Sequence, residues 1–308
     1  MRKVLIYGFG GIGKRHYESI VKKYLDIFIY VFDKDKETYK YLTDRDRTKC
    51  ISDSREIKDL DIDLAILSIS NKGKASIVED LFENNKIKNL IIEKPLCQSL
   101  AELDLINSLA ISKNIFVNFP YRYYPFWIEV KKLAKNLNFR IEVEGKSWGL
   151  GCNLWHFLDL HFFIFNEKII EVDWREFSWI DSKREGFKEI YGKAAVKFET
   201  RRLILSQQNS HKSNSIIRLI NEEDEKVLME IEDFKITKNK LFKFKNVDIE
   251  IFQSELTSKY IHDIKSGNCL LPQVNHIHYN TASMMNSIIL SSDLKLLKPK
   301  KNILIPIS

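Results

Sequence analysis

Near its start the chain reads VLIYGFGGIGKRH, with Gly8, Gly10 and Gly13 at the spacing G-x-G-x-x-G. An apolar run precedes them and a helix-like pattern follows, so each glycine has a mechanical use. Gly8 allows a tight turn, Gly10 lets a pyrophosphate approach the backbone, and Gly13 packs a helix close to a sheet. The amide N–H groups of Gly11, Ile12 and Gly13, at the positive end of that helix, would then hold phosphates. The companion feature is an acid about twenty positions on, and Asp33 closes the run IFIYVFD. Its carboxylate can accept hydrogen bonds from both adenosine ribose hydroxyls, which favours NAD. Lys34 and Lys36 beside it could instead receive the 2′-phosphate of NADP. NAD is the expected cofactor and NADP the alternative.

Other reactive residue types form no comparable pattern. Cys50, Cys97, Cys152 and Cys269 are scattered without a C-x-x-C pair, which argues against a zinc ribbon, a redox dithiol or a disulfide scaffold. His276 and His278 fall on different faces of a helix and lack an H-E-x-x-H pattern or a carboxylate partner, so no metal is expected. His16, one turn into the first helix, reads as a packing or capping residue. A short-chain dehydrogenase needs Tyr-x-x-x-Lys beyond its central strands. The one such spacing, Tyr30 to Lys34, closes the second strand-like run, so that reading is discarded.

These residues need a scaffold, and the chain supplies two textures. Its 308 residues are long for one core and comfortable for two domains. Strand-like runs at 3–7, 27–32, 64–69, 89–94 and 115–119 alternate with helix-like segments at 11–24, 36–46, 73–85 and 99–114. Strands apolar on both faces, alternating with helices, predict a doubly wound parallel sheet of the Rossmann α/β type over 1–120. After residue 120 come a helix, a strand and a very apolar helix at 152–165. Successive β-rich segments then run from 168 to about 252, the last of them at 235–244, and a final helix pair follows at 252–267 and 275–292. A second α+β domain over 121–308, with an open, largely antiparallel or mixed sheet, is expected to carry substrate binding and oligomerisation.

Lysines and acids alternate along most of the chain despite its net charge of +7, and the densest basic run is LKLLKPKK near the end. That pattern is a solvated surface and not a nucleic-acid arm, though a mildly positive field suits phosphorylated substrates. No stretch approaches the roughly eighteen consecutive apolar residues of a membrane span. A cytoplasmic protein without nucleic-acid or membrane partners is expected.

The fourth strand-like run leads straight into Glu93-Lys94-Pro95. With the glycine fingerprint, this makes the chain resemble the Gfo/Idh/MocA family of sugar-type oxidoreductases, in the right order over essentially its whole length. The resemblance implies that Lys94 faces nicotinamide and substrate, that Glu93 belongs to the cofactor site, and that the Lys94–Pro95 bond is cis. The position of Lys94 at the carboxyl end of a strand independently places it where ligands of open α/β sheets sit. Ser70 and Asn71 match the family's cofactor-facing T-P-N-x-x-H loop, and no histidine follows. Arg122 and Pro125 in NFPYRYYP match the segment that joins the two domains.

In GLGCNLWHFLDLHFF, HFLD aligns His156 with the family's proton-transfer histidine and Asp159 with the acid three residues on. The usual aspartate four before the histidine is replaced by Cys152, with Asn153 one position later. At about 100° per residue, Cys152, His156 and Asp159 share one helix face with Asn153 at its edge, and His161 lies opposite. If that first face looks into the cleft between the domains, His156 acts and His161 packs elsewhere. The lead-in SWGLGCN, with Trp148 and Asn153, resembles a subgroup associated with bacterial surface-sugar pathways.

The implied activity is NAD(P)-dependent hydride transfer to or from a sugar or sugar derivative, such as an amino sugar, a sugar phosphate or a nucleotide sugar. His156 would move the hydroxyl proton, Lys94 would stabilise charge on the same oxygen, Asn153 would orient a neighbouring hydroxyl, and Asp159 would orient His156. Tyr121, Arg122 and Tyr123 either line the substrate side or pack the domain junction, Trp148 is expected on the substrate side, and the resemblance implies a homodimer or homotetramer. The alternative is an NAD(P)-binding sensor or scaffold that never turns over, favoured by the missing aspartate at Cys152.

Overall fold

The computed structural model describes residues 1–58, 60–241, 249, 251–296 and 300–307. They form two compact units. One comprises Met1–Cys97, Glu102–Pro120 and Ile251–His276, and the other comprises Gln98–Ala101, Tyr121–Glu250 and Ile277–Ser308.

In chain order the first 120 residues give β1 (Lys3–Tyr7), α1 (Gly11–Lys23), β2 (Phe28–Phe32), β3 (Thr48–Ile51), β4 (Asp61–Ile62), β5 (Leu64–Leu67), α2 (Lys74–Glu83), β6 (Lys86–Ile87), β7 (Asn89–Glu93), α3 (Leu100–Ala110) and β8 (Asn114–Asn118). Six strands pair in the order β3-β2-β1-β5-β7-β8, and every pairing is parallel. Strands β4 and β6 form a separate two-residue ladder. Val4–Ile6, Leu64–Leu67 and Leu90–Ile92 have no exposed surface at all, as expected of strands covered on both faces. The strand order reverses between β1 and β5, which puts the loops after these two strands at the topological switch point.

Two details depart from the sequence reading. Segment 36–46 is not an α-helix. It holds one 3₁₀ turn, Lys36–Tyr41, begun by the Asp35 side chain accepting the Glu37 N–H, and Leu42 is already extended. The Tyr39 hydroxyl, 2.6 Å from the Ile51 carbonyl, ties this turn to the end of β3. Strand β3 itself went unread because it is an edge strand with only Ile51 buried, so it lacks a continuous apolar signature.

The second unit contains α4 (Pro125–Leu133), β9 (Phe139–Lys146), α5 (Leu150–Phe165), β10 (Ile169–Asp181), β11 (Lys188–Phe198), β12 (Arg202–Gln208), β13 (Asn214–Asn221), β14 (Val227–Glu232) and β15 (Lys235–Asn239). The sheet order is β10-β11-β12-β9-β13-β14-β15, antiparallel throughout except where β12 runs parallel to β9. This is the open mixed sheet that the run of β-type segments predicts. Helix α5 packs on β11 and β12. Accordingly Ala194, Val196, Phe198, Leu203 and Leu205 are buried, while Ala195 and Ile204 between them are partly exposed. The end of the last expected strand, 242–244, and residues 297–299 of the basic run lie outside the described residues.

Helices α6 (Gln253–Ser266) and α7 (Val274–Ser291) follow, and after them come two short 3₁₀ turns, Asp293–Leu296 and Lys300–Asn302. Helix α6 packs on α1 and so belongs with the parallel sheet, although the sequence reading grouped it with the later residues. Its Leu256, Thr257, Tyr260 and Ile261 are fully buried. None of the helices among the described residues is long and apolar enough to cross a membrane.

Candidate active site

The glycine turn follows β1. Gly8 has φ +97°, and a Cβ there would sit 2.7 Å from the Ser68 carbonyl oxygen. At Gly13 a Cβ would come within 2.1 Å of the Gly8 carbonyl oxygen, so this glycine seats α1 against the turn. Gly10 and Gly11 differ, since a Cβ at either would meet nothing within 4 Å. Gly10 caps α1 with no side-chain hydrogen bond, and the first turn, Gly11-Ile12-Gly13, carries no acid. Open space in front of uncapped N–H groups at a helix N-terminus is the arrangement that accepts a pyrophosphate. The cradle therefore fits a dinucleotide.

Asp33, just past β2, lies beside this turn. One carboxylate oxygen accepts the Phe9 N–H, and the other accepts the Asp35 N–H at 2.8 Å. The acid is thus fixed to the glycine loop with lone pairs to spare for ribose hydroxyls. Lys36 turns its ammonium onto the Asp33 carbonyl at 2.7 Å and over the Phe32 ring. Lys34 is exposed.

The loops after β5 and β7 carry the other expected residues of this unit. Ser70 is exposed, while Asn71 is buried and donates to the Cys97 carbonyl at 2.8 Å. Lys94, half-buried, follows β7, and its bond to Pro95 is cis. Glu93 turns its carboxylate inward. His16 Nε2 approaches Glu93 Oε1 at 2.8 Å, and Asn118 Nδ2 donates to the same oxygen. Beyond them, His16 Nδ1 lies 2.7 Å from Thr257 Oγ1, and Asn118 donates to Gln253 Oε1 at 3.0 Å. Burial pushes the Glu93 carboxyl up, but hydrogen bonds from His16 and Asn118 outweigh it and hold the group below its ordinary range.

One residue here escaped the sequence reading. Lys74, the first residue of α2, has no exposed surface, and its ammonium donates to the Glu93 and Pro95 carbonyls at 2.6 Å each. It stands three after Asn71, where the family's loop carries its histidine, and that register was the available signal.

In the second unit Gly149, with φ +81°, starts α5. Gln207 Oε1 accepts the N–H groups of Gly149 at 2.7 Å and Leu150 at 3.0 Å, and Glu189 accepts that of Gly151. These two caps come from β12 and β11, and nothing local in the sequence announced them. Trp148 donates its indole N–H to the Ser206 carbonyl at 2.8 Å and packs edge-on against Phe157. Asn153 reaches back to the Trp148 carbonyl at 2.8 Å. Cys152, Asn153 and His156 are all partly exposed.

His156 is met by Tyr121, with ring centroids 5.2 Å apart and planes tilted by 31°. Tyr121 also contacts Phe157 and Trp127, and Tyr123 is buried. Asp159 and Arg122 face each other. Arg122 Nε lies 3.1 and 2.9 Å from the two carboxylate oxygens, and Nη2 lies 2.7 Å from Oδ1. Burial lifts the Asp159 carboxyl above its ordinary range, and Arg122 opposes that only in part. Two residues expected near substrate thus form a buried pair that joins α5 to the turn before α4. His161, opposite on α5, is fully buried and stacked on Phe198 at 3.6 Å, and it packs as expected.

Comparison with known proteins agrees with this picture. No curated protein sequence matches the chain. Solved structures do. The WlbA dehydrogenase of Chromobacterium violaceum, crystallised with NADH and UDP-GlcNAcA, superposes with a TM-score of 0.72 at 14% identity over 94% of this chain and 93% of that one. The UDP-N-acetylglucosamine 3-dehydrogenase of Acidithiobacillus ferrooxidans gives 0.70 at 11% identity, over 92% of this chain and 95% of that one. The myo-inositol 2-dehydrogenase of Lactobacillus plantarum gives 0.67 at 13%, over 96% and 98%. At such identities the likeness is one of fold. Residues 2–119 match the Gfo/Idh/MocA group, described as an oxidoreductase family with an NAD-binding Rossmann fold. Over residues 2–119 the chain thus carries the NAD-binding Rossmann domain of the Gfo/Idh/MocA oxidoreductase family, with a glycine cradle that fits a dinucleotide.

Proposed function

We propose that the protein transfers a hydride between NAD and a secondary hydroxyl or ketone of a sugar derivative, with a nucleotide sugar as the leading substrate class. The observation that carries this reading is Lys94, set at the carboxyl end of β7 in a parallel sheet whose residues 2–119 match the oxidoreductase family. The substrate class is taken from the UDP-sugar dehydrogenases among the structural neighbours and from the basic balance of the chain.

Gly8, Gly10, Gly11, Ile12, Gly13 and Asp33 hold the dinucleotide, with Ser70 and Asn71 in the neighbouring loop. When bound, NAD supplies the hydride acceptor or donor. In the oxidising direction His156 takes the hydroxyl proton, and the Lys94 ammonium donates a hydrogen bond to the same oxygen and stabilises its developing charge. In reduction His156 returns the proton. Asn153, Trp148 and Tyr121 line the substrate side of α5. Arg122 and Asp159 keep α5 and Tyr121 in place by binding one another. The sheet face away from α5 offers a surface for a second copy of the chain.

The test is a panel of UDP-N-acetylglucosamine, its uronic acid, myo-inositol and simple sugar phosphates, followed with NAD at the NADH absorbance. Lys94→Ala and His156→Ala should each lower turnover on the active substrate by roughly 100-fold or more. The dissociation constant for NADH should hold nearly steady in both. Wild-type rates in the two variants would remove the proposal, and NADH binding without turnover across the panel would favour a non-catalytic role.

A further inference from the structure

We infer that Lys74 is a positioning residue for Lys94, acting through two hydrogen bonds to the backbone on either side of it. The inference rests on the proposed role of Lys94, and its geometry lies entirely within the first unit.

Lysine is an improbable residue for this place on packing grounds alone. Its side chain is wholly buried, where an ammonium loses its hydration. It also opens helix α2, where the helix dipole disfavours a positive charge. Burial drives its ammonium down to about 8, even though the Glu93 carboxylate pulls the other way. Such a residue persists when its donors are needed, and its two hydrogen bonds to carbonyls have one destination. They reach the Glu93 and Pro95 carbonyls at 2.6 Å each, and those groups flank Lys94 in sequence.

Glu93 is therefore gripped at both ends. His16 and Asn118 hold its carboxylate, and Lys74 holds its carbonyl. One residue further on, the Pro95 carbonyl is tied to the same ammonium. The Cα of Lys94 lies between two anchored peptides, so the base of its side chain has little freedom to wander. An ammonium that must meet a developing oxyanion gains from such fixing, because a misplacement of about 1 Å can cost on the order of 100-fold in rate.

The residue at 74 needs donors more than charge, which separates two variants of the full-length protein. Lys74→Met keeps the length and removes every donor. Lys74→Gln keeps two N–H donors on one nitrogen without the charge. Amide hydrogen exchange over residues 89–100, measured with no substrate present, should quicken in Lys74→Met and stay near the wild-type rate in Lys74→Gln. With NAD and UDP-N-acetylglucosamine, or the substrate that the panel identifies, Lys74→Met should lose roughly 30- to 100-fold in kcat with KM and the NADH dissociation constant within about threefold. Lys74→Gln should recover most of that loss.

Unchanged exchange over 89–100 in Lys74→Met, or wild-type kcat in that variant, overturns the inference. So does a Lys74→Met protein that loses melting temperature and NADH affinity together with kcat and is not rescued by Gln, because Lys74 would then be a folding residue. The exchange arm needs no substrate. If Lys94→Ala is fully active while exchange quickens in Lys74→Met, the role of Lys94 fails and the grip of Lys74 on the turn stands.

Discussion

Lys94 and His156 are held in place by different physics. Around Lys94 the buried groups are polar and converge on one short stretch of chain: Lys74 on two backbone carbonyls, His16 and Asn118 on the Glu93 carboxylate. Around His156 the neighbours are rings, with Tyr121 against its face and Phe157, Trp127 and Trp148 in the shell beyond. Asp159, three residues further along α5, gives both carboxylate oxygens to Arg122. Hydrogen bonds fix direction as well as distance, whereas aromatic packing fixes position and tolerates small rotations. The role proposed for Lys94, presenting a charge, benefits from the first. The role proposed for His156, accepting a proton and returning it, tolerates the second.

That contrast can be broken most forcefully at the Arg122–Asp159 pair. Removing one partner strands a buried charge, so Asp159→Ala should cost about 3–5 kcal/mol and appear as a large fall in melting temperature. NADH affinity, carried by the glycine turn, should change little in the protein that remains folded. A loss of affinity matching the loss of stability would show that the two settings are not separable. A smaller effect is expected at the start of α5. Gln207→Ala leaves the Gly149 and Leu150 N–H groups without their acceptor and should cost about 1–2 kcal/mol by thermal or denaturant unfolding. If kcat falls far more than stability, the cap also sets the angle of His156, and ring packing is not enough.

The finest effect is one of pH. Burial pushes the Glu167 carboxyl up, but hydrogen bonds from His161, Thr200 and Arg201 prevail and hold it at about 2, below the ordinary 4.5 of a glutamate. A carboxyl depressed on folding stabilises the folded state above its unfolded pKa and loses that contribution as pH falls from about 4.5 toward 2. Melting temperatures across that range should therefore drop in the wild type, and less steeply in Glu167→Gln. Identical slopes would remove Glu167 from the account.

Much of the first unit was legible because its information is local. Five strands with apolar residues on both faces announce a parallel sheet, and Gly8, Gly10, Gly13 and Asp33 fall at fixed offsets along one βαβ stretch. Lys94 was legible for the same reason, as one of three consecutive residues at a strand end. Strand β3 was not, since an edge strand with one buried side chain carries no periodic signal. The destinations of Lys74 and Gln207, and the pairing of Arg122 with Asp159, were hidden by distance along the chain. The partners lie 19 to 58 residues apart, and no short motif encodes a contact of that span. Cys152 stands where the resemblance implies an aspartate, and Asn153, at the edge of that face, is turned back to the Trp148 carbonyl.

The return of α6 to the first unit bears on how the protein is made. A nascent chain that has emerged through residue 120 already carries His16, Glu93 and Asn118, but Gln253 and Thr257, which complete their hydrogen bonds, are more than a hundred residues from being translated. Until then a histidine and an amide have no partner from α6, and the α1 surface that α6 covers stays open to solvent or to a chaperone. The cofactor domain is thus begun first and finished almost last, and the whole of the second sheet is synthesised in the interval.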